Sequence, residues 1–282
     1  MQVVYPPPFL EVRYYTLDPN PPTTGLCAGY DGGVWRSARF ADHLFNWLPY
    51  AALSQEHQLA FSANNFVEML RLAAAHIYNT KKTTTRGEIG ELILHLACIL
   101  QFKTIPVMCK LVLKTSSNDT VKGFDGVHLL PKENSSFELW LGESKFYIDP
   151  EDAIREAIKS IKDHILPSFL ITEKAMIFGH VASDIPYREE VIKLFKSQTS
   201  GDELLKRAVF PVLIAYESNS ISNHTIVAEA FIKSLENEIA SLKAYFIEKS
   251  KDITLRVELI FVPLGKKKDL VDCFDKILEP FL

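Results

Sequence analysis

Residues 123–147 read GFDGVHLLPKENSSFELWLGESKFY. Two apolar runs, 122–130 and 137–147, flank the polar segment PKENSS at 131–136, and that arrangement predicts a hairpin. Upstream, RGEIGELILHLACILQF (86–102) predicts a strongly apolar helix and PVMCKLVLK (106–114) a first strand. Downstream, DPEDAIREAIKSIKDHI (149–165) predicts a helix with Asp149 as N-cap and Pro150 at the first helical position. Its Ile154, Ile158, Ile161 and Ile165 make one stripe. Helix, three strands, helix is the expected compact unit.

Outward from that unit, strands and helices alternate. KAMIFGHV (174–181), AVFPVLIAYE (208–217) and ITLRVELIFVPL (253–264) read as strands, with helices near 187–197, 224–249 and from 267. ESNSISNH (217–224) reads as a loop ending in the cap of the long helix. Towards the N-terminus, a strand is expected at 10–15, a turn at YDGG (30–33) and helix over 37–79. The helical signal is clearest after Ser62, an N-cap candidate, where Phe66, Met69, Leu70, Ala73 and Ile77 recur at helical spacing. TKKTTT (80–85) is a polar break. The predicted fold class is α/β, a mixed central sheet flanked by helices, with an extended and helical region over 1–85 and the core over 86–282.

The chain has 282 residues, 47% of them hydrophobic, enough for a sizeable core. Lys and Arg number 31 against 35 Asp and Glu, a net charge of -4, which is not the basic surplus of a domain that grips nucleic acid unaided. Cys27, Cys98, Cys109 and Cys273 form no CxxC pair, which argues against a disulfide framework or a zinc knuckle. No signal peptide and no apolar run of ~20 residues is evident, so a soluble cytoplasmic protein without membrane contact is expected. The few GxG-like pieces lack the glycines of a phosphate-binding loop.

The chemistry lies in the hairpin. Side chains alternate faces along a strand with a rise of ~3.3 Å per residue, so Glu143 and Lys145 share one face roughly 6.6 Å apart. Folding the runs about a centre near 133.5 sets Asp125 opposite residue 142 or 143. Two carboxylates beside an ammonium are costly on an apolar sheet unless a cation or ligand satisfies them. Hard divalent ions suit such a set; Mg²⁺ (or Mn²⁺) keeps several waters and commonly takes only one or two carboxylates. Asp125 and Glu143 are therefore the candidate ligands, with the backbone carbonyl of Ser144 as a third, and Lys145 would orient a water or neutralise a phosphate. On the preceding helix Glu88, Glu91 and His95 fall within one ~60° stripe, and either Glu88 or Glu91 could reach the ion. Glu88 borders the apolar face more closely; Glu91 is expected nearer solvent.

Plainer readings stand beside these. Asp125 between glycines is also a turn residue, and Glu143 with Lys145 is also a solvated edge pair worth ~0–1 kcal/mol. His95 reads as a core or surface histidine, Glu138 as structural on the opposite face, and Trp47 and Trp140 as core aromatics. Lys159, Lys162 and the GKKKD run (265–269) read as solvated lysines, with phosphate contact as the alternative.

Helix with Glu, then Asp, then Glu-x-Lys on paired strands resembles the PD-(D/E)xK nuclease superfamily, although Phe124 stands where its founding motif has proline. Within it, RGEIGELILHL, KGFDGVH, LWLGESKFY and AIREAIKSIKDH, together with Trp35-Arg36, are similar to HamA, the nuclease subunit of Hachiman antiphage systems. The resemblance implies a restriction-endonuclease-like core and a metal-dependent DNA endonuclease acting as effector beside a helicase partner. It assigns the metal and catalytic roles to Asp125, Glu143 and Lys145, with Glu88 or Glu91 as the helix acid. A catalytically silent scaffold or regulator of the helicase is the alternative.

Overall fold

The computed structural model describes residues 3–60, 62, 64–78, 86–113, 123–133, 136–182 and 185–282. The expected polar break at 80–85, the middle of the hairpin turn at 134–135, Lys114 and Lys122 lie outside the described residues. In chain order the elements are β1 (Glu11–Thr16), β2 (Thr23–Cys27), β3 (Tyr30–Asp31), β4 (Val34–Trp35), α1 (Ser37–Ala52), α2 (Gln55–Ala60) and α3 (Phe66–Tyr78). There follow α4 (Gly87–Leu100), β5 (Ile105–Cys109), β6 (Gly126–Lys132), β7 (Ser136–Phe146), α5 (Pro150–His164), α6 (Pro167–Phe178), α7 (Arg188–Phe195) and α8 (Gly201–Leu205). The chain continues with β8 (Ala208–Glu217), α9 (Asn219–Ser222), α10 (Glu229–Lys249), β9 (Val257–Leu264) and α11 (Lys267–Leu278).

Seven strands form one mixed sheet in the order β1-β2-β9-β8-β7-β6-β5, and β3 and β4 make a separate ribbon. β5, β6 and β7 are antiparallel neighbours; β7, β8, β9 and β2 run parallel, and β1 closes the far edge antiparallel. The α/β class with a mixed central sheet is therefore observed. The parallel strands are buried on both faces, as β8 shows with nine of its ten residues buried. Pro211 can sit in that central strand because the β7–β8 ladder skips the positions beside it, resuming at Glu143 opposite Val212.

Helices cover both faces. Residues 142, 144 and 146 of β7 point to α4: a Cβ on Gly142 would lie 2.8 Å from Leu94, and one on Gly90 would lie 3.1 Å from Phe146. The alternate residues 143 and 145 point to α5. α1, α3 and α11 join α4 on its side, while α10 joins α5. α4 is buried almost all round, in keeping with its uninterrupted apolar sequence. On α5 the Asp149 side chain accepts from Asp152 N at 2.8 Å as the expected N-cap, and Ile154, Ile158 and Ile161 are buried.

Several expectations are corrected. KAMIFGHV lies mostly in helix α6, which Pro167 starts and which buries Leu170 and Ile177 two turns apart; a short apolar run does not by itself distinguish strand from helix. The strand expected over 106–114 stops at Cys109, and a 3-10 turn, Lys110–Leu113, follows. Ser62 does not cap α3; its N–H and hydroxyl both donate to Asn65 Oδ1, and the helix starts at Phe66. ESNSISNH is not all loop, since Ser218 caps the short α9, and the long helix begins only at Glu229.

Candidate functional site

The hairpin register decides the site. Gly126 pairs with Gly142, and Asp125 N donates to Gly142 O at 2.9 Å, so Asp125 comes opposite Glu143. Asp125 Oδ2 accepts from Ser144 N at 2.8 Å and Ser144 Oγ at 2.7 Å; its Oδ1 faces Lys110 Nζ at 3.1 Å. Glu143 Oε1 accepts from Lys145 Nζ at 2.5 Å, and that ammonium also donates to Ser160 Oγ of α5 at 2.9 Å. Glu143 Oε2 is buried without a hydrogen-bond partner, with His164 Nδ1 of α5 3.5 Å away. Asp125, Glu143 and Lys145 are thus brought together and largely buried, rather than forming a solvated edge pair.

Electrostatics separates the two carboxyls. Burial raises Glu143, the charge of Asp125 adds to it, and the carboxyl reaches about 7 despite Lys145. Burial also acts against ionised Asp125, but Lys110 and the two Ser144 donors outweigh it and hold its carboxyl below the usual range. Burial works against the charge of both lysines, but Asp125 outweighs it at Lys110 and Glu143 at Lys145, so both stay protonated. His164 falls to about 4, chiefly through burial, and is a neutral imidazole at neutral pH.

The two helix acids part company. Both are buried on α4, so Glu91 is not on a solvent side. The charge of Glu91 acts on Lys110 and that of Glu88 on Asp275, which pairs with Arg86 at 2.8 Å. Glu91 therefore faces the cluster and Glu88 faces α11. Ser144 enters the site as a double donor to Asp125. His95 is a core histidine, its ring 5.0 Å from that of His128 and its pKa lowered to about 4 by burial. Glu138 lies on the other face with Lys132, Trp140 and Arg256 as partners, and Trp47 and Trp140 are buried. Lys159 is exposed and Lys162 pairs with Asp252 at 2.6 Å. Lys267 departs from the solvated reading: its Nζ donates to Phe146 O at 2.6 Å.

Four participants were not read from sequence: Lys110, Ser160, His164 and Glu173. The last, on α6, accepts from Phe124 N at 3.0 Å. Ser160 and His164 carried a signal, a polar pair four apart flanking the isoleucine stripe of α5. Lys110 and Glu173 carried none, because they reach the site from 15 and 49 residues away. Among the described residues no three His, Cys, Asp or Glu side chains form a ready metal cage. Two carboxylates, one with an orphaned buried oxygen, nevertheless fit a hard ion that retains most of its waters.

The sequence profile of one family matches residues 5–278, a span that contains every residue of this cluster. The chain belongs to the HamA family. It is also similar to anti-bacteriophage protein A of Escherichia coli (strain K12), 20% identical over an alignment of 271 residues that covers 90% of this chain and 49% of that protein. The HamA-family chain described here thus spans about half the length of that curated relative. No solved structure matches it significantly. Membership in HamA reaches from the N-terminal segment through α11, so the helices that pack on α4 belong to the same family unit as the cluster.

Proposed function

We propose that this HamA-family chain is a metal-dependent DNA endonuclease of the PD-(D/E)xK type, the effector of an antiphage defence complex that works with a helicase. The observation that carries the reading is the convergence of Asp125 and Glu143 at one end of the hairpin, with Lys145 bonded to Glu143 and Glu143 Oε2 left unsatisfied. The succession α4, β5, β6, β7, α5, with β8 returning parallel to β7 after three further helices, supports a restriction-endonuclease-like core. The name of the Escherichia coli relative supports a role against phage. A net charge of -4 suits a nuclease that borrows DNA affinity from a partner. Among the described residues no helix is long and apolar enough to cross a membrane.

In this reading Asp125 and Glu143 would hold the ion with Glu91 behind them, and Lys145 would orient the attacking water or neutralise the scissile phosphate. Bound Mg²⁺ or Mn²⁺ would supply Lewis-acid stabilisation of charge on the phosphate. Ser160 holds the Lys145 ammonium against Glu143, limiting its rotamers. The test is Mg²⁺-dependent plasmid degradation with the helicase supplied. Glu143→Ala and Lys145→Ala are expected to lose roughly 100-fold or more; full activity in both removes the catalytic assignment. RNA in place of the plasmid decides the substrate class.

A second reading, a silent nuclease fold that scaffolds or regulates the helicase, is favoured by one observation: Lys110 already neutralises Asp125. Calorimetry with Mn²⁺ separates the two, since a silent scaffold shows no binding that Asp125→Ala abolishes.

A further inference from the structure

Asp125 is held by more than its own side-chain contacts. Residues 123–125 lead into β6, and the backbone of Phe124 is gripped from α6. Glu173, 2% exposed, accepts the Phe124 N–H through Oε2 at 3.0 Å. The approach is so close that a Cβ on Gly123 would sit 2.5 Å from Glu173 Oε1 and 2.8 Å from Oε2. Gly123 also has φ +147, a conformation open to glycine and strained for other residues. From the other side Lys110 Nζ reaches Gly123 O at 3.3 Å as well as Asp125 Oδ1 at 3.1 Å. A buried carboxyl group spent on one backbone N–H is an expensive way to fix a loop. Phe124 itself is buried against His164, Phe169 and Phe210, so the peptide next to Asp125 has little freedom.

We infer that Glu173 is a positioning residue for Asp125: its hydrogen bond to Phe124 N, made possible by glycine at 123, sets the angle at which the Asp125 carboxylate meets Glu143. The inference rests on the metal-site reading above. It places Glu173 outside the reacting atoms, one peptide removed from the ligand. Outer partners of metal ligands of this kind typically contribute about 10–100-fold in metal affinity.

The experiment uses the full chain and Mn²⁺ alone. Calorimetry is run on the wild type, Asp125→Ala, Glu173→Gln, Glu173→Ala and Gly123→Ala, with circular dichroism to confirm each fold. Glu173→Gln keeps an acceptor oxygen for Phe124 N, so its affinity is expected within about threefold of wild type. Glu173→Ala and Gly123→Ala are expected to weaken Mn²⁺ about 10–100-fold. If Glu173→Ala does not fold, Gly123→Ala against Glu173→Gln gives the same comparison. The inference is overturned if Glu173→Ala and Gly123→Ala bind as the wild type does. It is also overturned if Glu173→Gln is as weak as Glu173→Ala, because charge rather than the hydrogen bond is then what matters. Both outcomes leave the metal site standing. Wild type that binds no more Mn²⁺ than Asp125→Ala overturns the metal site and this inference with it.

Discussion

At Asp125 the ammonium of Lys110 occupies one side of the carboxylate while three acidic groups, Asp125, Glu91 and Glu143, act on it together. Lysine donates three hydrogens and bears half the charge of a divalent ion, which helps make the two carboxyls compatible with burial. A divalent ion at Oδ1 would have to displace it, because a divalent and a single positive charge about 4 Å apart repel by roughly 8 kcal/mol at an effective dielectric constant of 20. Lys110→Gln is therefore expected to tighten Mn²⁺ by about tenfold, followed through the paramagnetic resonance of the free ion. Lys110→Arg, which keeps the charge, is expected to stay near the wild type. A Gln variant that binds more weakly would make Lys110 a support of the ion site rather than a competitor. On the metal-site proposal, the same residue would restrain the free chain, since an ammonium at Asp125 favours the ion-free state.

Helix α5 sets the opposite wall of the site, and its start is separable from its end. Asp149 caps the first turn and Ser160 and His164 face Glu143 and Lys145 near the last. Asp149→Ala should cost ~1 kcal/mol in urea unfolding while leaving Mn²⁺ binding unchanged, because only the first-turn N–H loses its acceptor. A large loss of ion affinity would mean that the whole helix shifts. This element was legible in sequence because cap, proline and isoleucine spacing agree. The hairpin was legible too: period-two alternation placed Glu143 and Lys145 on one face, and the turn centre left a choice of two registers for Asp125, which the Gly126–Gly142 pair resolves. β2 and α6 were not legible. TTGLC is buried at all five positions and so shows no alternation, and besides β1 its neighbour in the sheet is β9, more than two hundred residues later in the chain. In α6 the run AMIF imitates a strand, while the two polar residues it buries, Glu173 and Lys174, find their partners across the chain at Phe124 and Thr199. Local pattern carries Asp125 and Glu143; the residues that hold them come from tertiary contact.

Across the whole molecule, the sheet and its two helical layers bury titratable groups that favour their neutral forms. Burial, with Glu138 nearby, raises Glu258 of β9 to about 7, and no hydrogen bond satisfies its Oε1. Burial lowers His43 of α1, stacked on Phe9, to about 4. The two groups tilt stability in opposite directions. Between about 4.5 and about 7 folded Glu258 keeps a proton that the unfolded chain has released, so its contribution is lost as pH rises. Between about 4 and 6.5 unfolded His43 holds a proton that the folded chain excludes, so its contribution grows as pH rises. Glu143 and Glu173 act in the sense of Glu258, and His95, His128 and His164 in the sense of His43. The opposed slopes leave the wild-type melting temperature nearly level from pH 4.5 to 6.5 in metal-free buffer, followed by a decline towards pH 7. Single replacements unmask them. Relative to wild type, Glu258→Gln should melt higher at pH 8 than at pH 5, and His43→Phe higher at pH 5 than at pH 8, in thermal scans with a chelator present. Differences independent of pH in both variants would mean that neither group is as dry as its surroundings in the fold imply.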